Sequence, residues 1–524
     1  MQSTRQPKSK LGVLALIGAC VFFFSNGWTD NTQEMPKAIS KADAKATALH
    51  WLAERQETGK VTQVMFDSDT DLSVAVQHRG NWDAYTKKLK STLPMDTYVV
   101  ELQTKAVTYR VSVDYEHKKV VGWRTLELEA KPSDPKLAEA FLRSRGFSDL
   151  KRANKLEDVH LSYTIGRSFD GMPLVAKVRT DNGKIADYKL YLRIKGSILD
   201  WKKQQEVTRS KLESLSLYST VGAFGLALLL ALVWNRRLAF SRGWLLALLV
   251  FAIQMVNVII IMPLLHLLFE GKTAGIDIAN SILNQAMYYA GMSVLVYLAF
   301  VAGDYAWKLV RKKDETYAFS ERPRNMYWLA IAVIGVQSLI YVVGDWLFDV
   351  WSTNDAFFAL DNLSIPELFP LSAWAAAISE EVIYRLFLFS TLLLVFRKIV
   401  GGRTAWVGAA LLSSLCWALG HAGYPVFPAL SRIVEVTALG FVFSAIFYRY
   451  GLVASMMAHA VIDSFLMAIG ILYLPDAHLG LDIPLVFAYT FLPLAVMLLL
   501  LRRRRTVGDG VAVGTVEVAD DDVR

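Results

Sequence analysis

Apolar and polar positions divide the chain into two populations. Residues from about 30 to 212 carry charges at the density of a soluble domain, whereas from Leu215 to Leu501 apolar runs alternate with short polar stretches. A helix needs roughly 20 apolar residues to cross a bilayer, and several of these runs reach that length. The pattern predicts about nine spans, near 215–234, 243–268, 281–307, 326–349, 370–396, 404–422, 431–449, 452–474 and 483–501. A tenth apolar run, Leu11–Phe24, follows Arg5, Lys8 and Lys10 in the manner of a signal sequence. Ser25-Asn26-Gly27-Trp28 offers no small-residue cleavage site, and Val21–Phe24 after Cys20 is too apolar for a lipidated tether. The run therefore reads as an uncleaved signal anchor.

Within the soluble stretch the periodicity changes twice from helical to alternating. A helix is predicted over Ala42–Gln56, with Ser40 and Asp43 placed to cap it, and a second over Asp134–Arg145, stopped by Gly146. Strands follow each: Tyr109–Val113 turning at Glu116–Lys119 into Val120–Trp123, and Leu174–Val178 turning at Asp181-Asn182-Gly183-Lys184 into Tyr188–Leu192. Asn-Gly between alternating segments is a strong hairpin signal. The fold class expected is thus a multi-spanning α-helical membrane protein of about ten helices. An exported α+β domain lies between the first and second spans. Its boundaries read as 1–28 for the cytoplasmic N-terminus and anchor, 29–212 for the exported domain in two related halves, and 213–325 for additional membrane helices. A membrane core over 326–501 and a tail over 502–524 complete the chain. The small PepSY-type domains found beside bacterial membrane peptidases are vaguely similar to the exported part.

Charge sharpens this picture. The net charge of +8 sits mainly at the ends of apolar segments: Arg236/Arg237/Arg242, Lys308/Arg311/Lys312/Lys313, Arg397/Lys398/Arg403 and Arg502–Arg505. Placing these clusters inside puts both termini in the cytoplasm and the soluble domain outside, and argues against a nucleic-acid partner. The opposite loops carry Asp355, Asp361, Glu367, Asp476 and Asp482. Short loops with this bias fit a bacterial inner membrane. The tail ending in Asp520-Asp521-Asp522 reads as disordered, and the two cysteines, Cys20 and Cys416, give no disulfide framework.

Ionisable residues inside apolar spans are costly, so each is a functional candidate. Glu380-Glu381-Val382-Ile383-Tyr384-Arg385 is the densest group. On an α-helix Glu381 and Arg385 pair, while Glu380 turns about 100° away and stays available as a base. Trp417-(three residues)-His421 and His459-(three residues)-Asp463 follow on later spans; the second pair shares one helix face, suited to a metal or to one substrate group. On straight spans Glu380 falls near mid-membrane, His421 near the outer end and His459 slightly inward. Gln254, Asn257, His266, Asp304 and Asp345 read as interhelical or helix-end polar residues.

These three motifs, in this order on successive apolar segments, resemble the CAAX-protease and bacteriocin-processing membrane peptidases, the CPBP or Abi family. Gly440–Ser444 and Gly451-Leu452 also look like that family's approach to its third motif. The resemblance covers roughly 325 to 500 and implies an intramembrane endopeptidase acting on a peptide or protein at the bilayer. It implies Glu380 as the general base, His421 holding the attacked water, His459 and Asp463 stabilising the oxyanion or positioning substrate, and Glu381 with Arg385 ordering the site. Two positions depart from the pattern. Trp417 replaces the commoner phenylalanine. Asp463 stands where many members have asparagine, so it must be protonated, turned onto His459 or bound to a metal. Members have been described as metalloproteases, which leaves zinc open, with Glu380, His421, His459 and Asp463 as its ligands. A prenylated substrate does not follow from the family name. The exported domain is a candidate surface for a partner or substrate, or a shield over the site. A non-catalytic membrane scaffold or immunity-type protein, or a proton-relay transporter, are the competing classes. The motifs are intact and no repeat relates the spans, which disfavours both.

Overall fold

The computed structural model describes residues 9–28, 38–78, 80–126, 128–129, 131–153, 158–262, 265, 274–311, 324–353, 359–472, 474–476, 480–485 and 487–491. An apolar helix, α1 (Ser9–Trp28), comes first. The α+β domain follows, with helices α2 (Lys41–Glu54), α3 (Thr70–Gln77), α4 (Trp82–Lys88) and α5 (Pro135–Ser144) on one antiparallel sheet. Its strands are β1 (Gly59–Ser68), β2 (Asp96–Thr104), β3 (Thr108–Asp114), β4 (Val120–Thr125), β5 (Lys151–Arg152), β6 (Leu161–Phe169), β7 (Met172–Asp181) and β8 (Lys184–Leu192). Their order is β1-β2-β3-β4-β8-β7-β6-β5, so two meanders meet at their last strands. Ser40 caps α2 through the Asp43 amide, and Asp134 caps α5. Asn182 and Gly183 both take positive φ, as a two-residue hairpin requires. Strands β1, β2, β5 and β6 and helices α3 and α4 extend the domain beyond the elements the pattern predicts.

The next helix, α6 (Gly196–Val233), runs unbroken from the sheet domain into an apolar span. Its first turns carry Lys202, Lys203, Glu206, Arg209, Lys211 and Glu213, which conceal the helix in a composition profile. Then come α7 (Trp244–Ile260), α8 (Ala274–Arg311), α9 (Arg324–Phe348), α10 (Leu371–Glu380), a π-helical segment (Glu381–Phe389) continuing directly into α11 (Ser390–Phe396), α12 (Gly402–Leu419), α13 (Ala429–Tyr450) and α14 (Leu452–Leu472). Helix α8 begins seven residues before the predicted span at 281. Among the described residues five helices are long and apolar enough to cross a membrane: Gly196–Val233, Gly275–Arg311, Trp328–Phe348, Ala429–Tyr450 and Leu452–Leu472. Leu11–Phe22, Trp244–Ile260 and Gly480–Phe491 are apolar but shorter.

Close backbone approaches set the helix packing. Gly18 and Gly335 lie against each other, leaving no room for a side chain on either, so α1 packs tightly on α9. At Gly303 a Cβ would stand 2.8 Å from the Leu386 carbonyl, which presses α8 onto the π-helical segment.

The sheet domain docks on the loops of the helical part. Edge strand β1 meets Asn362, whose Oδ1 accepts from the Phe66 amide (2.6 Å) and whose Nδ2 donates to the Phe66 carbonyl (2.8 Å). Lys41 pairs with Asp361 at 3.0 Å, and its amide donates to Asp476. Burial first, and then the nearby Asp361 charge, hold the Tyr98 and Tyr115 phenols far above their ordinary pKa. A second contact is aromatic: Trp201 of α6 lies with Trp351 and Phe427 of a short β9–β10 pair (Trp351–Ser352 and Val426–Phe427). Arg209 donates to the Val426 carbonyl, and Gln205 accepts from the Ala429 amide.

The Asn362 amide reproduces a β-bridge with one side chain. Asn362→Ala removes two buried hydrogen bonds and costs about 1–3 kcal/mol of docking stability. Hydrogen exchange at the Phe66 amide is expected to speed up while exchange at the central strand β3 stays unchanged.

Candidate active site

The three motifs converge. Glu380 ends α10, Glu381 opens the π-helical segment, and Arg385 lies on that segment's next turn. A π-turn is wider than an α-turn and recurs at functional sites. The α-helical expectation for this motif is therefore corrected, though Glu381 and Arg385 still face each other, Nε to Oε2 at 3.6 Å. Both side chains are sealed from solvent.

Glu381 is the hub. Its Oε2 accepts from the Ser455 hydroxyl, and its Oε1 lies 2.9 Å from His459 Nδ1. Ser455 and His459 are one turn apart on α14, so one helix face supplies both partners. The Arg385 guanidinium makes no hydrogen bond among the described residues. It lies instead 4.1 Å from the centroid of the Trp417 ring and 5.6 Å from that of Phe443, a cation held by ring faces and by Glu381. Gly440 of α13 makes this possible, since a Cβ there would meet Ser414 and the Trp417 ring at 2.8 Å.

Glu380 has a different setting. It keeps part of its side chain accessible and accepts a hydrogen bond from the Trp417 indole N–H. His459 Nε2 stands 3.8 Å from Glu380 Oε2 and 3.2 Å from Asp463 Oδ2. Of the three arrangements open to Asp463 in the sequence, the geometry shows the one turned onto His459. The histidine lies between carboxylates at both ring nitrogens, with Phe443 stacked on it at 4.8 Å.

His421 lies just past the end of α12. Its Nδ1 is 3.1 Å from the Trp417 carbonyl, which can only accept, so a hydrogen bond there needs the proton on Nδ1 and, in the neutral ring, leaves Nε2 as an acceptor. Tyr424 stacks on it and Arg432 covers Tyr424, with Arg432 held by Glu435 at 2.7 Å. Glu380, Asp463 and Arg432 are near enough for their charges to act on His421. The different depths expected for Glu380, His421 and His459 are reconciled by Trp417: its ring centroid is 5.1 Å from that of His421 and 5.5 Å from that of His459.

Glu380, Glu381, Arg385, His421, His459 and Asp463 are thus brought into one cluster. Tyr288 and Tyr384 belong beside it, since the Glu380 charge acts on both. Sequence reading missed Ser455, Tyr424 and Tyr288, which are ordinary span residues until the helices pack. It noted Trp417 as an aromatic but not as a donor. Among the described residues no three His, Cys, Asp or Glu side chains form a group that could hold a metal ion. Of the outlying polar residues, Asn257 donates to Gln254, Asp304 pairs with Lys308 at 3.2 Å, and Asp345 accepts at its carbonyl from the Asp349 amide. His266 lies outside the described residues.

Residues 363–465 match the family model described as type II CAAX prenyl endopeptidase Rce1-like. This segment is similar to an Rce1-like domain. It contains all six candidate site residues and is narrower than the 326–501 read from the sequence. No curated protein and no solved structure matches the chain significantly. The apolar helices mark a membrane protein, and within it residues 363–465 are similar to CAAX-type endopeptidases.

Trp417→Phe keeps the ring that carries Arg385 and deletes only the donor to Glu380. A hydrogen bond to a charged group is worth about 1.5–3 kcal/mol. Peptide cleavage, read as kcat/KM, is expected to fall about 10- to 100-fold, with the thermal unfolding midpoint changed by no more than a few degrees.

Proposed function

We propose that the chain is an intramembrane endopeptidase that hydrolyses peptide bonds of membrane-associated or exported substrates through a water activated by Glu380. One observation carries the reading: of two adjacent glutamates, Glu381 is consumed by Ser455, His459 and Arg385, whereas Glu380 is held at one oxygen and still accessible. In this account Glu380 takes a proton from water, and the hydroxide attacks the scissile carbonyl. The bare Nε2 of His421 holds the water's second hydrogen. His459, steadied by Glu381 and Asp463, donates to the oxyanion. Glu380 then returns the proton to the leaving amine.

Under the same proposal the protein has about ten spans, lies in a bacterial inner membrane and keeps both termini in the cytoplasm. The docking contacts support this: the sheet domain touches Asp361, Asn362 and Asp476, and Arg209 in the first turns of α6 reaches Val426, all four in connections opposite the basic clusters. The tight Gly18–Gly335 contact supports retention of the first helix as an anchor. In this account the sheet domain presents or screens substrates, a reading supported by Phe427, in the loop that follows His421, packing into that domain's apolar core.

Purified full-length protein in liposomes is expected to cleave peptide, and Glu380→Gln to reduce the rate at least about 100-fold, the usual contribution of a general base. Glu380→Gln should leave the unfolding temperature nearly unchanged. Cleavage that survives this substitution would refute the assignment. A wild type that cleaves nothing, with Glu380→Gln still functional in cells, would favour the scaffold reading.

A further inference from the structure

Helix α8 lies outside the Rce1-like domain, yet its outer half carries six polar residues at helical spacing: Asp277, Asn280, Ser281, Asn284, Gln285 and Tyr288. At 100° per residue they fall within an arc of about 140°, and they extend along the axis for about 16 Å. Ile276 and Leu283, both exposed, emerge outside that arc. The six residues line an open groove of 430 Å³. The stripe ends at Tyr288, on which the Glu380 charge acts. Further along the same helix Gly303 packs on Leu386, so the stripe runs toward the π-helical segment that begins at Glu381.

We propose that this stripe is a binding track for the backbone of an extended peptide segment, delivering it to Glu380. The inference rests on a peptide being the substrate, but not on the hydrolytic step. The chemistry of the lining selects the ligand class. Primary amides offer one acceptor and two donors each, matching the alternating C=O and N–H of a peptide. Among the described lining residues there is no lysine or arginine to hold a phosphate, and one carboxylate alone does not make a cation site. An acyl chain would leave the amides unpaired in hydrocarbon. Spacing agrees as well: Asn280 and Asn284 are about 6 Å apart along the axis, close to the roughly 6.6 Å repeat of two extended residues. Such a track reads main chain and leaves side-chain selection to other surfaces.

The test measures binding to full-length Glu380→Gln protein in nanodiscs, with a fluorescein-labelled random-sequence peptide library as the probe. Saturable binding is expected, weakened about tenfold in a variant that adds Asn280→Leu and Asn284→Leu, a loss on the scale of one net hydrogen bond. An Asn284→Gln variant, which keeps the amide, should bind as tightly as the parent. An N-methylated form of the library should lose the same tenfold on the parent and nothing further on the double variant. Absence of saturable binding, equal binding by the double variant, or a change in its oligomeric state in place of its affinity would overturn the proposal. Because Glu380→Gln removes the base, failure of hydrolysis in the wild type bears on the enzymatic reading and leaves this measurement intact.

Discussion

The site depends on one buried carboxylate. Glu381 and Arg385 are both withdrawn from solvent, and each makes the other's burial tolerable. Removing two charges from water costs several kcal/mol per ion after relaxation. The pair holds because Glu381 also takes the Ser455 hydroxyl and His459, while Arg385 is enclosed by the Trp417 and Phe443 rings. Those partners come from α12, α13 and α14. Satisfying one carboxylate therefore ties three further helices to the π-helical segment, and chemistry is left to the neighbour. Glu380 is positioned as a by-product of this network: Trp417, already placed by Arg385 and Gly440, turns its N–H onto it.

The same logic orders the periphery. His459 is aimed by Glu381 at one nitrogen and meets Asp463 at the other, so the aspartate stands within the network as a partner of the histidine. His421 is aimed by a backbone carbonyl and braced by Tyr424, Arg432 and Glu435. Beyond it, Val426 and Phe427 receive Arg209 and Trp201 of α6. A continuous chain of contacts thus joins the site to the sheet domain.

Much of this was legible in the residues. The spacing of Glu381 and Arg385 called for a pair, and two motifs on later spans called for convergence. The Asn182-Gly183 hairpin and the caps at Ser40 and Asp134 were local signals, and they appear as local structure. Other features were not legible, for physical reasons. The π-turn is a response of the chain to packing, with no composition of its own. The role of Trp417 depends on which edge of its ring meets Glu380, and the sequence records only that it is aromatic. Helix α6 was hidden because its first turns are charged, as suits a helix that begins outside the bilayer. The polar stripe on α8 was divided by a span boundary set at 281. Hydropathy averages a helix over all its faces, whereas the stripe exists on one.

The central claim is that Glu381 and Arg385 form one structural unit and Glu380 is separate from it. It is tested most directly by a double-mutant cycle on thermal stability with Glu381→Gln and Arg385→Gln in the purified full-length protein. Each single substitution strands a buried charge, for which about 3–5 kcal/mol of destabilisation is expected. The double variant should be less destabilised than the sum of the two. Additive losses, or singles that unfold at the wild-type temperature, would contradict the account.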